Sequence, residues 1–160
     1  MLKKIKTLKI VGLCILLISS PIALQAQEQR SFYEISLTPK NVLVGRDGGG
    51  NVALYIVKAE DYRADQSLLA FNGRCDSSCT LLLSLSPEQI CLMPGASFRF
   101  HAPIAKSTEA RKFATEVMME KYPNWVKSWI SEHGGLKPQL IIMDYQFASL
   151  HIQSCDATIY

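Results

Sequence analysis

Apolar positions recur along this chain in short alternating or continuous runs, interrupted by glycine turns and by three stretches of helical period. Ser31-Phe-Tyr-Glu-Ile-Ser-Leu37 alternates loosely and Asn41-Val-Leu-Val44 is a short apolar run; both predict strands. Arg46-Asp-Gly-Gly-Gly50 predicts a turn, after which Val52, Tyr55, Ile56 and Ala59 repeat at helical spacing with Asn51 as N-cap. Ser67-Leu-Leu-Ala-Phe71 predicts another strand, closed by Asn72-Gly73. Thr80-Leu-Leu-Leu-Ser-Leu85 reads as a short helix by context or a strand by composition. Ile90–Met93 and Ser97–His101 predict strands on either side of Pro94-Gly95.

The last third is more helical. Residues 107–120 begin with a capping-type serine and carry Ala110, Phe113, Ala114, Val117 and Met118 on one face. Pro123 opens a helix over Asn124–His133 with Trp125, Val126, Trp129 and Ile130 on one side, stopped by Gly134-Gly135. Leu140–Met143 returns to a strand pattern. Strand, glycine turn, helix and strand in alternation predict a single α/β domain with a largely parallel sheet and flanking helices.

The first 26 residues follow a different rule. Lys3, Lys4, Lys6 and Lys9 precede the apolar run Ile10–Ile18, and Ala23-Leu-Gln-Ala26 places small residues behind it. This order predicts a cleavable export signal over 1–26 and a folded domain over 27–160; an uncleaved anchor is the alternative, disfavoured by the shortness of the run. Cleavage would take away four of the 17 basic residues and none of the 14 acidic ones, turning a net charge of +3 into −1. No case for nucleic acid or an anionic membrane surface then remains. The predicted location is periplasmic or secreted, without a membrane association after cleavage.

Compartment in turn sets the expectation for Cys75, Cys79, Cys91 and Cys155. In an oxidising environment they predict two disulfides, with three pairings open. Zinc is the rival, but there is no second closely spaced pair beside Cys75 and Cys79, so no metal and no cofactor is expected.

Three segments carry candidate chemistry. Asp47-Gly-Gly-Gly50 runs into a helix, where backbone N–H groups and the helix dipole favour negative charge; a tight turn with no ligand is the plainer reading. Gly73-Arg-Cys-Asp-Ser77-Ser78-Cys79-Thr80 joins an apolar strand to an apolar run, where a serine could be exposed as on a nucleophile elbow or serve only as an N-cap. Phe98-Arg-Phe-His101-Ala-Pro103 ends a strand on a histidine that could act as general base or simply pack. Asp76 is read as a solvated acid, and His133 as a C-terminal helix charge. His151 has no evident partner.

Together, Gly-Gly-Gly-Asn-Val at 48–52, Gly73–Thr80, Phe100-His-Ala-Pro103, Tyr122–Leu136 and the final Cys155 resemble an exported bacterial group within the ClpP/crotonase superfamily. The likeness runs from roughly Val42 to Cys155. It implies a ClpP/crotonase-like fold, with Ser77 as nucleophile, His101 as its base, and an oxyanion hole from the Gly49–Gly50 backbone and the Ser78 N–H. Ser78 stands where the group carries alanine, which leaves two adjacent serines as candidates for the cleft. Asp144 is the candidate third member of the triad. The function so implied is an exported serine hydrolase or peptidase acting on a peptide or acyl substrate. The alternative is a catalytically inactive, disulfide-stapled binding or structural module.

Overall fold

The structure is a computed structural model that describes residues 40–156, all within one compact unit. The predicted export signal and the predicted strand Ser31–Leu37 lie outside the described residues. The architecture is mixed α/β, as the alternation of elements predicts. It contains two three-stranded sheets where the sequence suggested one.

The first sheet has the order β1 (Asn41–Val44), β2 (Leu68–Phe71), β4 (Ile90–Leu92), all parallel. Leu69, Ala70 and Phe71 are fully buried and all three residues of β4 are buried, as continuous apolar runs in a covered parallel sheet should be. The second sheet has the order β3 (Arg74–Asp76), β5 (Ser97–Phe100), β6 (Ile141–Met143), with β3 and β5 parallel and β6 antiparallel.

The two layers share a plan. After Val44, Phe71 and Leu92 the chain bends and re-enters the second layer as Asp47, β3 and β5. Asp47 forms a parallel bridge to Cys75, donating its N–H to the Arg74 carbonyl and accepting from the Asp76 N–H, both at 2.8 Å. Neighbour order is therefore the same in both layers. Each passage through the two sheets ends in a helical connection: α1 (Val52–Ala64), a 3₁₀ helix over Ser77–Ser84, and α2 (Thr108–Lys121) followed by α3 (Asn124–Glu132). A second short 3₁₀ turn, Pro87–Gln89, and the four-residue α4 (Tyr145–Ala148) were not evident in the pattern.

Helix starts follow their caps. Asn51 Oδ1 accepts the Leu54 N–H at 3.2 Å and Ser107 Oγ the Ala110 N–H at 3.1 Å, which meets donors that the first turn leaves without intrahelical partners. The ambiguous run after Cys79 is 3₁₀, with Leu81, Leu82 and Leu83 buried. Each buried leucine is worth about 1.5–3 kcal/mol, so tertiary packing holds a helix type that is seldom this long. Phe71 and Phe98 meet edge to face at 5.0 Å and link the layers; Phe100 continues the core to Trp129 at 5.5 Å.

The second sheet alternates strictly. Cys75, Phe98, Phe100 and Met143 point into the core, so Arg74, Asp76 and Arg99 face outward. Phe113, expected on the buried face of its helix, is 69% exposed instead, because the segments α2 packs against meet its Met118 side. Among the described residues no helix is long and apolar enough to cross a membrane.

Candidate functional site

Ser77 sits where β3 turns into the 3₁₀ helix, with φ of +56°. For a residue with a Cβ this left-handed conformation costs about 1–2 kcal/mol. Three contacts hold it. The Cys75–Cys79 disulfide closes around it, with Cα atoms 5.4 Å apart. The Thr80 hydroxyl donates to the Ser77 carbonyl at 2.5 Å. On the other side Gly49 presses against it: a Cβ there would lie 2.9 Å from the Ser77 Cβ.

Behind Thr80 lies Tyr122, almost wholly buried, with its hydroxyl 2.6 Å from Thr80 Oγ1. The single Thr80 proton is already committed to the Ser77 carbonyl, so Tyr122 donates and Thr80 relays. Burial pushes the Tyr122 phenol well above its ordinary range, and it stays a donor at every physiological pH. This relay was not singled out from the sequence, since nothing local ties Thr80 to a residue 42 positions away. Tyr122→Phe is expected to cost about 1–2 kcal/mol in urea unfolding. A raised tyrosine pKa contributes stability that is fully present below the unfolded value near pH 10 and lost as pH rises beyond it. Unfolding across that range should therefore show a shallower alkaline decline in the variant than in the wild type.

The adjacent serines have different fates. Ser77 is half-buried and lines a cleft; Ser78 is fully buried, and its Oγ accepts the Gly50 N–H at 2.7 Å. The Gly49 N–H donates to Asp47 Oδ1 at 2.9 Å, and the same oxygen takes the Tyr55 hydroxyl at 2.5 Å. Burial, reinforced by that carboxylate, drives the Tyr55 phenol upward as well. Both glycine amides expected in an oxyanion hole are thus engaged within the chain. The Ser78 N–H heads the 3₁₀ helix, where the first amides have no intrahelical acceptor.

His101 follows the last residue of β5 and lines the same 410 Å³ cleft as Ser77, together with Gly49, Gly50, Pro103 and Ile104. Its Nδ1 lies 2.7 Å from the Ala102 carbonyl. A carbonyl only accepts, so in the neutral ring Nδ1 carries the proton and Nε2 keeps its lone pair.

Asp144 lies elsewhere. It follows Met143, which pairs with Phe98, whereas His101 leaves β5 at the opposite end beyond the Phe100–Ile141 pair. Four strand residues, roughly 13 Å, separate the two positions along β5. The Asp144 carboxylate caps α4 by accepting the Phe147 N–H at 2.9 Å. The carboxylate near His101 belongs to Asp76, which is not solvated as expected: it lies 2.9 Å from Arg74 Nε and 3.7 Å from Arg99 Nε. The Ser-Phe-Arg-Phe alternation of β5 carried a signal for this outward arginine.

The cysteines pair Cys75–Cys79 and Cys91–Cys155, the second spanning 64 residues. The remaining histidines pack on tryptophans: His133 stacks on Trp129 at 4.0 Å and bonds its carbonyl, and His151 stacks on Trp125 at 4.6 Å.

No protein-family model matches this chain, and no curated protein does. The solved structures similar to it include two at 14% identity, each over 84% of this chain and 90% of the other. One is described only as an enzyme, with a TM-score of 0.49, and the other as a peptidase from Plasmodium falciparum, with a TM-score of 0.48. At that likeness neither carries an argument about what this chain does.

Proposed function

We propose that this chain is an exported serine hydrolase-like domain of ClpP/crotonase type, with residues 1–26 as its signal and 27–160 as the mature domain. One observation carries the reading: Ser77 is held at φ +56° in a cleft that His101 also lines. Backbone strain in a polar residue at a cleft wall needs compensation from its surroundings, and here a disulfide, a buried relay and a glycine contact supply it.

In the reaction, Ser77 Oγ attacks a carbonyl carbon while His101 Nε2 takes its proton. The imidazolium then returns that proton to the leaving group, and water repeats the sequence on the acyl-enzyme. The Ala102 carbonyl takes the orienting role that Asp144 was expected to fill, since its bond to Nδ1 selects the tautomer with Nε2 free. The Ser78 N–H is one oxyanion donor. The Gly50 N–H becomes the second when it exchanges Ser78 Oγ for the developing oxyanion. The two disulfides fit an oxidising compartment.

A second reading, a non-catalytic binding module, is favoured by one fact: both glycine amides already have intrachain acceptors. A fluorophosphonate probe on the folded, oxidised protein separates the two. Catalysis predicts labelling that disappears in Ser77→Ala and drops at least about a hundredfold in rate in His101→Ala, the usual scale of general-base assistance. Folded protein that takes no label supports the binding module instead.

A further inference from the structure

A second compartment adjoins the first. It has a volume of 470 Å³ and shares Gly48, His101, Pro103 and Ile104 with the Ser77 compartment, so His101 stands at the divide. Beyond it the walls are of two kinds. Ile104, Leu140 and Pro138 form an apolar side, with Ile104 94% and Leu140 49% exposed. Apolar side chains left this open beside a cleft are what a ligand's hydrocarbon would cover.

The other side carries charge. The Asp76 carboxylate is already offset by Arg74 and Arg99 on the outer face of the second sheet. Arg111, in the first turn of α2, makes no ion pair or side-chain hydrogen bond with its guanidinium among the described residues. Arg111, an exposed residue of the lining, is therefore the cation there without a carboxylate partner among the described residues, while the Asp76 carboxylate is taken by Arg74 and Arg99.

Helix α2 sets the spacing. Ala114 lines the Ser77 compartment and Arg111 the second one, and residues three apart share a helix face with Cβ atoms about 5–6 Å apart. The Ser107 cap fixes the turn that carries Arg111. The compartment that Arg111 lines is thus about one helical turn along α2 from the one that Ser77 lines.

We propose that this second compartment is the acyl-chain subsite and that it selects substrates whose short acyl chain ends in a carboxylate, paired with Arg111 across the Ile104–Leu140 wall. The proposal deepens the hydrolase reading of Ser77 and rests on it for the word substrate, but the binding of the carboxylate does not need turnover. A guanidinium meets a carboxylate through two parallel N–H donors, which lysine cannot reproduce.

The test uses the full oxidised protein and two pairs of probes. Calorimetry compares N-phenylglutaramic acid with its neutral counterpart pentananilide; hydrolysis compares 4-nitrophenyl hydrogen glutarate with 4-nitrophenyl pentanoate. Wild type should prefer the anionic member of each pair by about tenfold or more, and Arg111→Gln should remove that preference while leaving the neutral member unchanged. Arg111→Glu should invert it. If binding discriminates but neither ester is turned over and no fluorophosphonate label is taken, the hydrolase reading fails and the subsite stands. If Ser77-dependent turnover is seen without a preference, or if the preference persists in Arg111→Gln, the subsite is overturned and the hydrolase reading stands. Equal binding of both anilides, or binding of neither, also overturns the subsite.

Discussion

Gly49→Ala is expected to lose about 3 kcal/mol of folding stability, whereas Gly48→Ala, one residue earlier, should lose less than about 0.5 kcal/mol. At Gly49 φ is +77°, and a Cβ would lie 2.5 Å from the Asp76 carbonyl, 2.9 Å from the Ser77 Cβ and 3.0 Å from the Ser78 nitrogen. Two of those three atoms are backbone. Neither can yield by changing a rotamer, so the glycine turn and the Ser77 elbow must separate. The left-handed backbone adds about 1–2 kcal/mol to that clash. At Gly48 an added Cβ meets nothing within 4 Å. Urea unfolding of the pair gives the difference directly, and equal stabilities would show that the turn does not press on the elbow. Gly49→Ala should also lose fluorophosphonate labelling while still folded, because the separation moves Ser77 away from the cleft.

The two disulfides should fail in opposite ways. Chain-entropy scaling assigns about 4 kcal/mol to a bridge closing a loop as long as Cys91–Cys155 and about 2 kcal/mol to one as short as Cys75–Cys79. The long bridge ties β4 to the C-terminal segment beside two backbone bonds, Leu92 N–H to the Gln153 carbonyl and Cys155 N–H to the Leu92 carbonyl, both at 2.9 Å. The double replacement Cys91→Ala with Cys155→Ala should therefore lower the urea midpoint most and leave labelling of the folded protein intact. Cys75→Ala with Cys79→Ala should lower the midpoint less but cost labelling, because its shorter loop is worth less while its loss releases the strained Ser77; the two buried sulfurs it also removes from the core add to its cost. Mild reduction should then cost labelling before the fluorescence of Trp125 and Trp129 reports unfolding. Labelling that survives in the Cys75/Cys79 variant would show that Thr80 and Gly49 hold the elbow without the disulfide.

Both predictions concern contacts of different reach, and so does the relation between this sequence and its structure. The elements whose signals are local were legible. Asn51 and Ser107 cap the helices they were expected to cap, and Pro123 precedes α3. The apolar runs at 41–44, 68–71 and 90–92 are the three parallel strands. The tandem Gly49–Gly50, the Ser77–Ser78 pair and His101 were each noticed from residue type and neighbours within a few positions.

What escaped depends on partners far along the chain. β3 was read as part of a turn because three residues, Arg-Cys-Asp, carry no periodic signal; they are a strand because Asp47 and β5 flank them. Asp144 drew attention as an acid in about the right region, yet antiparallel pairing of β6 sets it at the far end of β5 from His101. Phe113 belongs to a good helical stripe but to no buried contact.

By itself, then, the sequence determined an α/β chain with capped helices, buried parallel strands, a glycine turn before α1 and four of its five cysteines beyond the predicted signal. Only the tertiary structure decided that the strands form two layers, which cysteines pair, which of two neighbouring serines faces the cleft, and that the Gly49 and Gly50 amides are already occupied. The physical reason is the same in each case. Caps, periods and turn residues act over a few positions, whereas strand order, disulfide pairing and the direction of a single N–H are set by groups that folding brings together from tens of residues apart.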